Sequence, residues 1–197
     1  RHFSAVLKSL PVLENAASGQ ALLNTDLEMG VVRRMPVIAA IGDVPVPSLA
    51  LEMLRVAAGL PAIAVQAGRQ GIENISLGDV HIPTQADGRM WVNFAPFTSD
   101  RYVSAIDVLS GKVNPDMLKQ KLVLIGLTGL GLTDVVTTPR GERVPGIEVH
   151  AQLMENIFDG RFLTRPAWLP GLEAVVLIAC GIILIIAMPN YKLKLSL

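Results

Sequence analysis

The chain has 197 residues, 51% of them hydrophobic, with Lys plus Arg and Asp plus Glu each totalling 17. The charges balance and form no run of one sign, which excludes the electrostatic footprint of a nucleic-acid binder; the single cysteine, Cys180, excludes an internal disulfide or a cysteine-ligated metal site in the soluble part. Mean hydropathy is +0.47, and the excess sits at the C-terminal end, so one soluble domain plus one membrane segment is the expected organisation.

The sequence starts at Arg1-His2-Phe3-Ser4 with neither an initiator methionine nor a signal-peptide pattern, and stops soon after Pro189-Asn190-Tyr191-Lys192, so a piece of a longer protein is expected. Over residues 3–17 the apolar positions recur at helical spacing, with Pro11 forcing a kink or a new start and Gly19 a stop. A turn over 24–30 leads to Val31-Val32 and 35–41, rich in β-branched and apolar residues and read as extended. Ser48 is placed to cap a helix over 49–59 with a broad apolar face. Imperfect alternation over 72–82, a turn at 85–88 and the run 90–94 predict a hairpin or an adjacent strand pair.

A short helix is expected over 102–109, capped by Ser99 or Asp100. The run 121–127, KLVLIGL, has the composition of a strand buried on both faces and is predicted to be central in the sheet. Residues 146–159 read as a helix ended by Gly160. Strands interleaved with helices predict an α/β fold: a mixed sheet with flanking helices, followed by one transmembrane helix.

That last helix is predicted over 168–188. Residues 174–188 carry no charge, and extension back to Trp168 admits only Glu173. Trp168 and Tyr191 stand where interfacial aromatics belong, and Lys192 and Lys194 are available to headgroups. Arg161 and Arg165 on one side balance Lys192 and Lys194 on the other, so charge does not orient the span.

Few residues suggest chemistry. The glycine-rich loop Gly126-Leu127-Thr128-Gly129-Leu130-Gly131 lacks the Lys-Ser/Thr pair of a phosphate loop and reads as a tight turn. Asp26 and Glu28 lack the further oxygen ligands of a calcium loop and read as solvated acids in a turn. None of His2, His81 and His150 is at metal-ligand spacing from another histidine or cysteine. Asp134, Glu148 and His150 would make an acid/base set only if they met in one cleft; the plainer reading has His150 hydrogen-bonded at the loop-to-helix junction.

The order of several short pieces is more telling than any one of them. Leu10-Pro11, Ala16-Ala17, Gly19, Asn24, Asp26, Gly30-Val31-Val32-Arg33-Arg34, Pro36 and Val46-Pro47-Ser48-Leu49-Ala50-Leu51 come first. Ile75-Ser76-Leu77-Gly78, Ile82-Pro83, Asp87-Gly88, Asn93-Phe94, Asp107-Val108-Leu109-Ser110-Gly111 and Val123-Leu124-Ile125-Gly126 follow. Asp134, Thr138-Pro139 and Pro145-Gly146-Ile147-Glu148-Val149-His150-Ala151 close the series. This succession resembles the type-two CHASE domain, the extracytoplasmic sensory module of bacterial cyclases and kinases.

The resemblance implies a sensor in the inner or plasma membrane, its soluble part periplasmic or extracellular. It further implies more membrane helices and then an adenylate cyclase, a kinase or a cyclic-dinucleotide enzyme, none of which is in these residues. The family's usual N-terminal membrane helix and first α/β part are not matched, so an incomplete sheet is expected. The expected layout is a sensory domain over 1–165, a transmembrane helix over 168–189 and a tail over 190–197, with the connector 161–167, stiffened by Pro166, able to pass a displacement to the span.

The resemblance brings no ligand-contacting residues. Asp134, Thr138, Pro139, Pro145, Gly146, Glu148 and His150 therefore stand as a candidate sensory or structural motif, with no catalytic residue, cofactor or metal assigned. The expected partners are the lipid bilayer and a small-molecule or protein stimulus, nucleic acid is not expected, and homodimerisation is left open. The alternatives are a structural dimerisation or assembly domain and an extracytoplasmic enzyme using Asp134, Glu148 and His150.

Overall fold

The computed structural model describes residues 2–69, 71–128, 134–166 and 168–187. The chain divides into two compact units, Arg1–Leu163 and Thr164–Leu197.

In the first unit short strands and helices alternate: β1 (His2–Phe3), α1 (Pro11–Ala16), β2 (Leu27–Glu28), β3 (Val31–Val32), β4 (Arg34–Pro36), β5 (Ile38–Ile41), β6 (Val44–Pro47) and α2 (Leu49–Ala57). Then come β7 (Ala64–Gly68), β8 (Gly71–Leu77), β9 (Val80–Ile82), β10 (Arg89–Trp91), α3 (Ala105–Leu109), β11 (Val135–Thr137), β12 (Arg143–Pro145) and α4 (Gly146–Phe158). The strands form sheets in the orders β1-β5-β6, β10-β4, β12-β11-β3-β2 and β7-β8-β9. β1 lies parallel to β5 and β11 parallel to β3, and the other pairs are antiparallel. The fold is thus mixed α/β.

The predicted extended stretch after Gly30 is split because the chain changes sheets at Val37. The Val37 amide leaves the ladder and donates to Gly88 O at 2.9 Å, so β4 pairs with β10 while β5 pairs with β6. Gly88 has φ +78, and a Cβ there would sit 2.8 Å from Ile38 O, so the crossing strand and the turn meet at a position only glycine fills without strain. The run near 90 therefore joins β4 and not the β8–β9 hairpin that precedes it. At Met29-Gly30 both φ angles are positive, 50° and 81°, as a two-residue hairpin loop between β2 and β3 requires.

Two helices carry the core. Ser48 caps α2, its Oγ accepting from Leu51 N at 3.4 Å, and Ala50, Leu51 and Leu54 are buried. α4 packs against α2, and its Val149, Leu153 and Ile157 are buried at successive four-residue steps, the stripe a 3.6-residue period lays on one face. They join Val32, Met35, Val37, Ile75, Ile82 and Met90 in one apolar cluster.

Three expectations change. The N-terminal helix starts at Pro11, not residue 3, because proline suits the first helical position but not an interior one. The short helix near 102–109 is α3, with Ser104 in its N-cap position. Among the described residues 121–127 is not a strand: it has no ladder partner, Leu124 is half-buried and Ile125 is 91% exposed. Its composition records affinity for an apolar setting, which periodicity alone does not convert into a pairing partner. The glycine-loop positions Gly129, Leu130 and Gly131 lie outside the described residues, as do Met188, Tyr191, Lys192 and Lys194 at the far end of the predicted span.

The second unit holds one helix, α5 (Leu169–Ala187). Its segment Leu169–Ile186 has a mean hydropathy of 2.6 with 0% of it buried, and is long and apolar enough to cross a membrane. Nineteen residues at about 1.5 Å each come close to the roughly 30 Å of a hydrocarbon core.

Candidate functional site

The motif that begins at Asp134 is built as a hairpin feeding a helix. β11 and β12 pair with Val135 opposite Pro145 and Thr137 opposite Arg143. Thr138 N donates to Glu142 O at 2.9 Å and Gly141 N to Thr138 O at 3.0 Å. Pro139 thus takes the second turn position, where its fixed φ fits, and Gly141 takes φ +79. Thr138 is buried, and its Oγ1 has no hydrogen-bond partner among the described residues. Pro145 ends β12 and is also the residue before α4, so strand passes to helix with no intervening loop.

Gly146 N donates to Asp134 O at 2.9 Å, closing that junction. A Cβ at buried Gly146 would lie 2.2 Å from Asp134 Oδ1, so the glycine makes room for a carboxylate beside the first turn of α4, where negative charge suits the helix N-terminus. Asp134, Thr138, Pro139, Pro145 and Gly146 thus lie together on the hairpin that runs into α4.

Glu148 and His150 lie two residues apart on that helix and so face different neighbours. Glu148, buried, accepts from Tyr102 Oη at 2.7 Å and from Gln152 Nε2 at 2.8 Å, and meets Arg101 Nη1 at 3.5 Å. Arg101 also reaches Glu155 Oε2 at 3.0 Å. Gln152 Oε1 accepts from Ala95 N at 3.0 Å; Asn156 accepts from Asn93 N and donates to Asn93 O, both at 3.2 Å, and donates to Gln152 O. Glu148, Gln152 and Asn156 thus form a polar row, one turn apart, that satisfies the backbone of the strandless segment after β10. Burial pushes the Tyr102 hydroxyl well above the usual tyrosine range, reinforced by its bond to Glu148.

Gln152, Asn156, Arg101 and Tyr102 were missed in the sequence. The signal available was the four-residue recurrence of polar side chains at 148, 152 and 156 in an otherwise apolar helix, where each must find a partner once buried.

His150 turns the other way. Its Nε2 lies 3.3 Å from Leu23 O; a carbonyl only accepts, so Nε2 carries the proton and Nδ1 is left as an acceptor. Nδ1 is buried with no partner among the described residues. Burial pulls the His150 pKa below 6.5, while the bond to Leu23 and the charge of Asp134 oppose that shift. The ring is therefore neutral at neutral pH.

An open cleft of about 490 Å³ lies here, walled by Leu23, Leu49, Met53 and Ile147, with Asp134 and His150 among its polar side chains. Glu148 is not part of it, so Asp134, Glu148 and His150 do not converge as an acid/base set. Among the described residues no group of three His, Cys, Asp or Glu is placed to hold a metal ion.

The acids at 26 and 28 are not solvated, as the sequence reading had them. Asp26 is 6% exposed and lies 3.8 Å from Arg89 Nη1. Glu28 Oε1 meets Arg34 Nε at 2.6 Å and Arg89 Nη1 at 3.3 Å. Arg34 also bonds Gln85 at 2.6 Å and stacks 5.0 Å from the Trp91 ring centre. Arg89 bonds Asp87 at 2.6 Å; burial would raise that carboxyl, but Arg89 outweighs it and holds the Asp87 pKa below the usual range. The alternating charges staple the β2–β3 hairpin to the β4–β10 pair.

The family model of the CHASE2 domain matches residues 1–188. No curated protein and no solved structure matches the chain.

Proposed function

Because the chain belongs to the CHASE2 domain family, sensory extracellular domains of signalling proteins, we propose that residues 1–165 are a sensory domain held outside the cytoplasm of a bacterial cell. Residues 168–189 then cross the inner or plasma membrane toward a cyclase or kinase output encoded beyond this segment. The observation that carries the reading is the family match running from the α/β unit through a helix apolar enough to cross a bilayer. As a CHASE2 domain the segment is read as a sensor.

The stimulus in this reading is a small molecule or a protein, and the cleft beside His150 is the place for a small one. A stimulus acts only by binding one conformation of the unit better than another. Inserting Gly-Ser-Gly-Ser after Thr164 of the intact protein is expected to abolish the output's response to stimulus while leaving both protein level and basal output unchanged. A full response after insertion contradicts transmission through the connector.

A second reading, an assembly domain, draws on the exposed run 121–127, where Val123 is 50%, Ile125 91% and Leu127 66% exposed. An exposed apolar run of this kind suits burial against another chain. If it serves assembly as a dimer, Ile125→Lys shifts the sedimentation of the full chain from dimer to monomer; an unchanged profile removes that role.

A further inference from the structure

Helix α5 carries one charged side chain, Glu173, one turn from its start. An ionised group at the edge of hydrocarbon is held there by a partner of opposite charge or by water. The structure supplies the partner: Arg165 Nη2 forms an ion pair with Glu173 Oε2, both side chains about half exposed. The start of the helix is tied down as well, with Leu169 N donating to Pro166 O at 3.1 Å and Leu172 N to Trp168 O at 3.2 Å.

The first unit holds its own end of the connector. Arg161 N donates to Asn156 O at 2.9 Å, Phe162 packs against the core, and Leu163 forms an antiparallel bridge with Trp91 of β10. Leu163 is thus fastened to the sheet edge and Arg165 to the helix, with Thr164 alone between them in sequence.

We propose that the Arg165–Glu173 pair is a boundary clamp that sets the depth of the helix in the bilayer. The clamp rests on the reading of α5 as a membrane span. It keeps Glu173 at the lipid–water boundary, with exposed Trp168 near the start of the same helix, the depth at which an indole is favoured.

The test is the depth of Trp168 in the full chain, reconstituted in phosphatidylcholine vesicles and read by quenching with lipids spin-labelled at successive acyl positions. The signal of Trp168 is taken as the difference from Trp168→Phe. Arg165→Glu, which sets two acids together, is expected to move Trp168 toward water by roughly one helical turn, about 5 Å. The exchange Arg165→Glu with Glu173→Arg is expected to restore the native depth. An unchanged depth in Arg165→Glu overturns the clamp, and so does a shift that the exchange fails to reverse. If no labelled lipid quenches Trp168 in the native chain, the spanning reading itself fails and the clamp with it, an outcome distinct from the other two.

Discussion

Helices α4 and α5 are both built mostly from apolar residues, yet they differ in what fixes each residue's identity. On α4 most positions have an assigned neighbour: Val149, Leu153 and Ile157 enter the core, Glu148, Gln152 and Asn156 meet named donors and acceptors, and His150 bonds Leu23. On α5 exposure is high among the described residues, with Leu177 76% and Ile185 73% exposed. Packing among the described residues specifies the first helix position by position; apolar length and composition mark the second.

That contrast is most easily broken by matched truncations. Leu153→Ala, which leaves a cavity in the core, is expected to cost about 3 kcal/mol of unfolding free energy for the full chain in micelles. Ile183→Ala in α5 is expected to cost less than about 0.5 kcal/mol in the same denaturant titration. Equal losses would mean that α5 is packed as tightly as α4.

Next in size is the polar row. Glu148→Ala strands Tyr102 and Gln152 without their acceptor, and about 2 kcal/mol of stability is expected to go. Spectrophotometric titration gives a second reading of the same contact: Glu148→Gln is expected to bring the raised Tyr102 pKa down toward 10, though not fully, since burial remains. An unmoved Tyr102 would show that the bond to Glu148 is not made.

The smallest effect concerns His150. Its folded pKa lies below the unfolded value of 6.5, so between the two values the unfolded chain binds more protons and stability falls as pH drops. The stabilisation of the neutral ring is fully present above pH 6.5 and is lost through the window just below it. Asp87, also depressed but from 3.8, loses its contribution only at more acid pH, so the two windows are separate. His150→Gln is expected to flatten the slope just below pH 6.5 and leave the more acid one.

The sequence disclosed what depends on a helix or strand's own composition. Ser48 as a cap, the stripe on α2, the stop at Gly160 and the apolar length of α5 are local signals, and each is found in the structure. The pairing of β10 with β4 was not legible, because it depends on the approach of Val37 to Gly88, which are distant in the chain. Run 121–127 misled for the opposite reason, since its composition was right for a buried strand but said nothing about a neighbour. At the candidate site, Asp134, Gly146 and His150 do come together around one cleft. Their companions Gln152 and Asn156 were overlooked because single polar residues in a helix are usually surface.

The central claim, a soluble unit held outside the cytoplasm by α5, is tested most directly by labelling across the membrane. Asp79→Cys places a thiol on the exposed β8–β9 turn, in a Cys180→Ala background that removes the native one. In intact cells expressing the chain, a membrane-impermeant maleimide is expected to label this variant without permeabilisation. Labelling that occurs only after the cells are lysed would contradict the account.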